Sequence, residues 1–269
     1  MNISINNVTI IQARIGSSRL PGKVMLPLAG KPLILRMYER VSFSKNVGNI
    51  VVAITTDQSD DDLYKLLKQN NIETFRGSPH DLLDRHFQVA KKFNADTVIK
   101  IPSDCPLIDP KIIDDVISFY MENTDNFDFV SNLHPPTFPD GNDVEIMSFK
   151  SFENAWINAK KDFEREHTTP YIWENPEKFR IGNYKWNNGL DYSMKLRFTI
   201  DYKEDYEFIK TVYDELYDKN NQFGLDDILE LLKRKPDIVK INQMYAGVNW
   251  YRNHINELKT ITSEQTKNI

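Results

Sequence analysis

Short β-branched runs alternate with helix-spaced apolar stretches about five times in the first 131 residues, and this rhythm restricts the fold more than any other feature. Residues 8–13, 49–54, 72–75, 97–101 and 127–130 are too short and too β-branched for helices and read as buried strands. Between them, residues 33–41, 59–70, 80–93 and 110–122 place apolar side chains at helical spacing, the first entered through Pro32. Such alternation gives an α/β fold: a mostly parallel central sheet with helices on both faces. Ligands bind these sheets at the carboxyl ends of the strands, which points to the loops after Ala13, Ile54, Phe75 and Ile101. The second half is less regular. Residues 144–147 and 196–200 are expected strands, and 149–160, 163–174, 203–217 and 225–234 expected helices, around a smaller irregular insertion rich in turns at 134–141. The polar stretch 218–224 separates a main domain, 1–217, from a helical C-terminal extension, 218–269, whose polar tail from 258 is expected to fray.

Composition narrows the function. A chain of 269 residues buries enough surface to need no disulfide or structural metal. Cys105 is the single cysteine, so neither a disulfide framework nor a cysteine zinc site can form, and a cytoplasmic setting is expected. None of the five histidines has another at i+4, so a histidine metal site is not expected either. The net charge of −5 disfavours a nucleic-acid partner. No apolar run approaches the ~20 residues of a membrane helix, and residues 1–7 lack the basic start of a signal peptide.

Against that acidic total, residues 14–40 hold Arg14, Arg19, Lys23, Lys31, Arg36 and Arg40 with one acid, Glu39. Arg14, Arg19 and Lys23 share a loop with Gly16, Ser17, Ser18 and Gly22, directly after the first strand. Glycines let backbone N–H groups approach an anion, and the cations add charge, so the loop reads as a phosphate cradle rather than a solvated basic surface. It is not a Walker A loop: five residues separate Gly16 and Gly22 where four are required, and Val24 stands where Ser or Thr would bind Mg²⁺. No G-x-G-x-x-G follows the strand, so a dinucleotide site is unsupported.

Two carboxylates match this loop. Asp104 lies just past a strand end between Pro102 and Pro106, and Asp201 ends the run 196–200. If those strands are neighbours, the pair suits Mg²⁺, which takes a few hard oxygens and leaves its other positions to water and phosphate. The alternative for Asp201 is a helix N-cap. The run Asp57, Asp60, Asp61, Asp62 reads as acids favouring a helix dipole. In the clusters 140–145 and 164–170, Asp143, Glu145, Glu166 and His167 are candidates for binding a polar acceptor, with Asp143 and Glu145 on one face of a strand.

Taken together, these motifs resemble one family. Gln12-Ala13-Arg14-Ile15-Gly16-Ser17-Ser18-Arg19-Leu20-Pro21-Gly22-Lys23 resembles the signature loop of cytidylyltransferases, above all their spore-coat polysaccharide (SpsF-like) branch, with sialic-acid and 3-deoxy-manno-octulosonate cytidylyltransferases more distant. Thr55-Thr56-Asp57, Arg76-Gly77-Ser78, Asp81-Leu82-Leu83-Asp84-Arg85, the run from Ser103 to Pro110, Pro139 to Glu145, Arg165 to Tyr171 and Thr199-Ile200-Asp201 agree in the same order, so the likeness spans roughly residues 8–210. It implies a Rossmann-like nucleotidyltransferase fold, CTP as nucleotide, Mg²⁺ as cofactor and a homodimer. It puts catalytic roles on Arg14 and Lys23 at the triphosphate, with Arg19 assisting. Gln12, Ala13, Gly16 and Ser17 join them in holding the nucleotide. Arg76, Gly77, Ser78 and Asp84 fall near cytosine and ribose, and Asp104 and Asp201 take the metal carboxylate positions, with Asp104 also on the nucleotide. Val24 departs from the Asn that follows the loop lysine in sialic-acid enzymes, which argues against a sialic-acid acceptor. The implied reaction transfers CMP from CTP to a sugar, sugar acid or related hydroxyl, phosphate or phosphonate, releasing pyrophosphate, for surface polysaccharide or glycoconjugate synthesis. The rival readings are a metal-dependent glycosyltransferase, for which Asp60-Asp61-Asp62 supplies an Asp-x-Asp, and a non-catalytic nucleotide-binding subunit.

Overall fold

The alternating half folds as its periods dictate. In the computed structural model, which describes residues 5–268, β1 (Asn7–Gln12) leads through a loop and a small hairpin, β2 (Pro27–Leu28) and β3 (Lys31–Pro32), into α1 (Leu33–Ser42). Then follow β4 (Asn49–Thr55), α2 (Asp61–Gln69), β5 (Thr74–Gly77), α3 (Leu82–Lys92), β6 (Thr97–Pro102), α4 (Pro110–Met121) and β7 (Phe129–Ser131). The second half supplies β8 (Glu145–Ser148), α5 (Phe149–Asn158), α6 (Asp162–His167), α7 (Pro170–Trp173), β9 (Ile181–Asn183), α8 (Lys203–Leu216) and α9 (Leu225–Arg234).

The described strands form a seven-stranded sheet in the order β5-β4-β1-β6-β8-β7-β9. β1 lies between β4 and β6, parallel to both. β8 enters antiparallel between β6 and β7, pairing Lys100 with Glu145. Alternate residues of β1 feed opposite cores: Ile11 packs with α1, α4, α8 and α9, while Val8 and Ile10 pack with α3 and α5. The sheet is therefore covered on both faces, and the carboxyl ends of β1, β4, β5 and β6 remain to build a site.

Three expectations need correction. The helix expected over 163–174 is two helices. Thr168 between them has φ +79°, and Pro170 opens the second, where a missing N–H costs nothing. Residues 196–200 are not a strand of the sheet. They are an extended segment tied by an isolated bridge between Arg197 and Asp140 and by the Ile200 N–H donating to the Asp104 carbonyl at 2.8 Å. The tail is not frayed: Leu258 and Ile261 are buried, and the buried Glu174 carboxylate accepts from the N–H groups of Lys259 (2.6 Å) and Thr260 (2.9 Å). Arg40, which belongs to the basic stretch but not to its loop, has a structural role. Arg40 of α1 is buried, donates to the carbonyls of Ile108 and Phe223, and stacks on the Phe223 ring.

Candidate active site

The loop after β1 is latched from below. Asp60 is completely buried and accepts from the Ile15 N–H at 2.7 Å, the Thr55 N–H at 2.9 Å and the Thr55 hydroxyl. The loop closes on itself where the Ser17 and Gly22 N–H groups both donate to the Ile15 carbonyl. Gly22 sits at φ +70°, a conformation that favours glycine. The N–H groups of Arg14, Gly16 and Ser18 donate to no protein acceptor among the described residues, and all three residues are exposed. They are free donors for an anion. Asp60 is thus a latch for the loop rather than a dipole acid, and its burial keeps the Asp60-Asp61-Asp62 triplet from acting as a glycosyltransferase metal motif.

At the end of β6 the chain turns through Asp104, and the hydrogen bond from Ile200 to the Asp104 carbonyl lays the 196–200 segment alongside it. That brings Asp201 to the same point. Lys23 Nζ spans the two carboxylates, 2.9 Å from Asp104 Oδ2 and 3.1 Å from Asp201 Oδ1, and also donates to the Ile200 carbonyl. Arg19 reaches Asp201 Oδ1 at 2.7 Å. Burial works against the Lys23 ammonium, but Asp104 and Asp201 outweigh it and hold the lysine above its usual pKa. Burial likewise raises Asp201, yet Lys23, Arg19 and Arg197 bring it below the ordinary carboxylate range. Both groups therefore stay charged at neutral pH.

Arg197 organises what lies behind. Its buried guanidinium donates to Asp205 (3.0 Å), Asp140 (3.1 Å) and Asp201 (2.9 Å). Sequence reading passed it over because it sits inside an apolar run; a charged residue at that position, with Asp at i+4, was the available signal.

A cavity of about 220 Å³ opens from Asp104 and Asp201 across the ends of β6 and β8. Asp143, Glu145 and His167 line it, as do Gln12 and Arg19. Glu145 is buried, paired with Lys100 of the adjacent strand and accepting from the Thr169 hydroxyl. Asp143 is pushed above the ordinary range by burial and by the charge of Asp104, against the Gly141 N–H bond that favours its ionised form. His167 stacks on Trp250 with centroids 3.8 Å apart, and burial lowers it to about 3, so it is neutral at pH 7. Glu166 is the exception among the acceptor candidates: its side chain is exposed and forms no part of this cavity, because α6 turns it to solvent.

The remaining candidates lie on the other side of the loop, at β5 and α3. Arg76 is held by Asp61 (2.7 Å) and by the Thr55 and Asp57 carbonyls, and Asp84 accepts from Trp156 Nε1 and Gln88. Ser78 accepts through its carbonyl from Arg85, and Gly77 packs so closely on Arg85 that a Cβ would stand 2.8 Å from that side chain. Burial lowers Arg85 to about 10, and the charge of nearby Arg14 adds to the effect. Arg19 and Lys23 pair with the aspartates on the opposite side. The loop stands between two half-sites.

A mostly parallel sheet whose first loop carries cations toward Asp104, just past β6, and Asp201, at the end of the extended segment beside it, fits a nucleotidyltransferase. Residues 8–235 match the cytidylyltransferase family, and the chain belongs to it: it is a CTP-dependent nucleotidyltransferase. The chain is 30% identical to the spore coat polysaccharide biosynthesis protein SpsF of Bacillus subtilis over 85% of its own length and 94% of that protein's. It is 33% identical to the 8-amino-3,8-dideoxy-manno-octulosonate cytidylyltransferase of Shewanella sp. (strain W3-18-1), across 47% of this chain and 52% of that one. The solved structure of a cytidylyltransferase from Leptospira borgpetersenii serovar Hardjo-bovis superposes with a TM-score of 0.82 at 37% identity, covering 87% of this chain and 97% of that one.

Proposed function

We propose that the enzyme transfers CMP from CTP to a sugar or sugar-acid acceptor in the synthesis of a surface polysaccharide or glycoconjugate, with magnesium as cofactor. One observation carries this reading: Lys23 and Arg19 meet Asp104 and Asp201 at the mouth of a polar cavity. An acceptor oxygen attacks the α-phosphorus, a P–O bond forms, the α–β anhydride bond breaks, and pyrophosphate leaves with the bonding electrons. Lys23, Arg19 and Arg14 offset the polyanion's charge, and the free N–H groups of Arg14, Gly16 and Ser18 add donors that need no reorganisation. Base and ribose belong, in this reading, on the side of Arg76, Gly77, Ser78 and Asp84. The acceptor's hydroxyls belong with Asp143, Glu145 and His167.

Among the described residues no three His, Cys, Asp or Glu side chains form a metal cage. Asp104 and Asp201 nevertheless converge on one cation, the Lys23 ammonium, and two hard carboxylates suit magnesium that draws its other oxygens from phosphate and water. These two residues would hold it, and when bound it polarises the α-phosphate. The relatives' names support a polysaccharide and sugar-acid context. A homodimer, implied by the family resemblance, and a cytoplasmic location, expected from the single cysteine, belong to the same proposal.

The test is pyrophosphate release with each of the four nucleoside triphosphates against a panel of sugars, sugar acids, sugar phosphates and phosphonates. Release is expected with CTP alone and should stop with EDTA. Lys23→Ala should lower the rate by about a hundredfold or more. Equal use of other nucleotides, indifference to EDTA, or a near-normal Lys23→Ala variant would each defeat the reading.

A further inference from the structure

The family match ends at residue 235, yet Trp250, Tyr251 and Arg252 line the cavity. Their segment is fixed in place. The Asn249 side-chain oxygen accepts from the Tyr251 N–H, its amide donates to the Gln265 carbonyl, and the Lys267 N–H donates to the Gly247 carbonyl. Tyr251 is buried against Trp173.

The other cations of the cavity wall are spent on carboxylates: Lys100 on Glu145, Arg19 on Asp201, and Arg197 on three aspartates. Arg252 differs. Among the described residues its one hydrogen bond is a long contact, 3.4 Å from Nη2 to the Tyr202 hydroxyl, and it has no carboxylate partner. Its Nη1 is buried with no acceptor among the described residues. A buried guanidinium donor left unmet is costly, so the position calls for an anion from outside the protein. On the cavity side, Gln12 Oε1 is also buried without a partner among the described residues, an acceptor waiting for a hydroxyl. Trp250, stacked on His167, gives the same wall an aromatic surface suited to the C–H face of a sugar ring.

We propose that residues 250–252 form the acceptor-recognition wall and that Arg252 binds the carboxylate of an anionic sugar, with Gln12 accepting from one of its hydroxyls. This deepens the proposed function and rests on it. It commits the acceptor class to sugar acids and assigns their selection to a segment outside the family-matched region.

The experiment pairs each sugar acid of the pyrophosphate screen with its primary amide, using the wild type, Arg252→Gln and Arg252→Lys. The wild type should prefer the acid by roughly 10- to 100-fold in kcat/KM. Arg252→Gln should bring that preference near unity, mainly through the acceptor KM, with the KM for CTP unchanged. Arg252→Lys should restore part of it. Several results would overturn the inference while leaving the nucleotidyltransferase reading intact: amides used as well as acids, an Arg252→Gln variant that keeps the preference, or a rise confined to the CTP KM, which would assign Arg252 to the phosphates. No release with any acceptor would instead overturn the proposed function itself, and this inference with it.

Discussion

Burial governs three of the five histidines. His86 of α3 is completely buried, with Nδ1 against the Leu82 carbonyl, and desolvation lowers it to about 3. His134 and His167 are lowered to about 4 and about 3 for the same reason. In the unfolded chain each titrates near 6.5. Between that value and the depressed one, the unfolded state binds a proton the native state refuses, so stability falls as pH drops through the window. Each such histidine contributes a slope of about 1.4 kcal/mol per pH unit. Replacing His86 with Phe should remove one such slope from unfolding free energies measured between pH 6 and pH 4. An unchanged slope would show that His86 accepts its proton in the folded state. Nothing in the sequence marks His86 as buried and neutral except its place on the apolar face of a helix. Lys23 and Asp104 were legible because their loops follow strands, and Asp201 because it ends a run with strand-like residues, whereas Arg197 was hidden inside that run, where its distant partner Asp140 is supplied only by the fold.

The decisive element is the loop between β1 and β2, and its shape depends on an acid outside it. Asp60→Ala leaves the N–H groups of Ile15 and Thr55 without their acceptor in a buried setting. The variant should lose about 2–4 kcal/mol of stability in urea unfolding and raise the KM for CTP more than that for the acceptor. A loss below about 1 kcal/mol with an unaltered CTP KM would contradict the latch. The strands that frame this loop were readable because β1, β4 and β6 are β-branched runs buried on both faces. β9 was not: Ile181, Gly182 and Asn183 are too few to show a period, and the sheet itself recruits them beside β7. The break at Thr168 was signalled by Pro170, but the helical spacing around it masked the interruption.

Over the whole molecule, the C-terminal segment wraps back to the sheet's functional edge. The polar composition of its last residues suggests a loose end, yet Leu258 and Ile261 are buried in the core that α3 and α5 share. Polar composition misleads here because backbone N–H groups, invisible to side-chain patterning, do the anchoring through Glu174. Glu174→Ala should therefore cost about 2–3 kcal/mol of stability. It should also raise the acceptor KM severalfold while sparing the CTP KM, because the released segment carries Trp250 and Arg252 rather than the phosphate loop. Equal effects on both KM values would mean that the segment supports the entire site.

The most direct measurement of the central claim is a crystal structure of the protein with CTP and magnesium. The triphosphate should lie along residues 14–23 with Lys23 Nζ on a phosphate oxygen, withdrawn from at least one of Asp104 and Asp201. CTP bound away from that loop, with Lys23 still bridging both aspartates, would contradict the account.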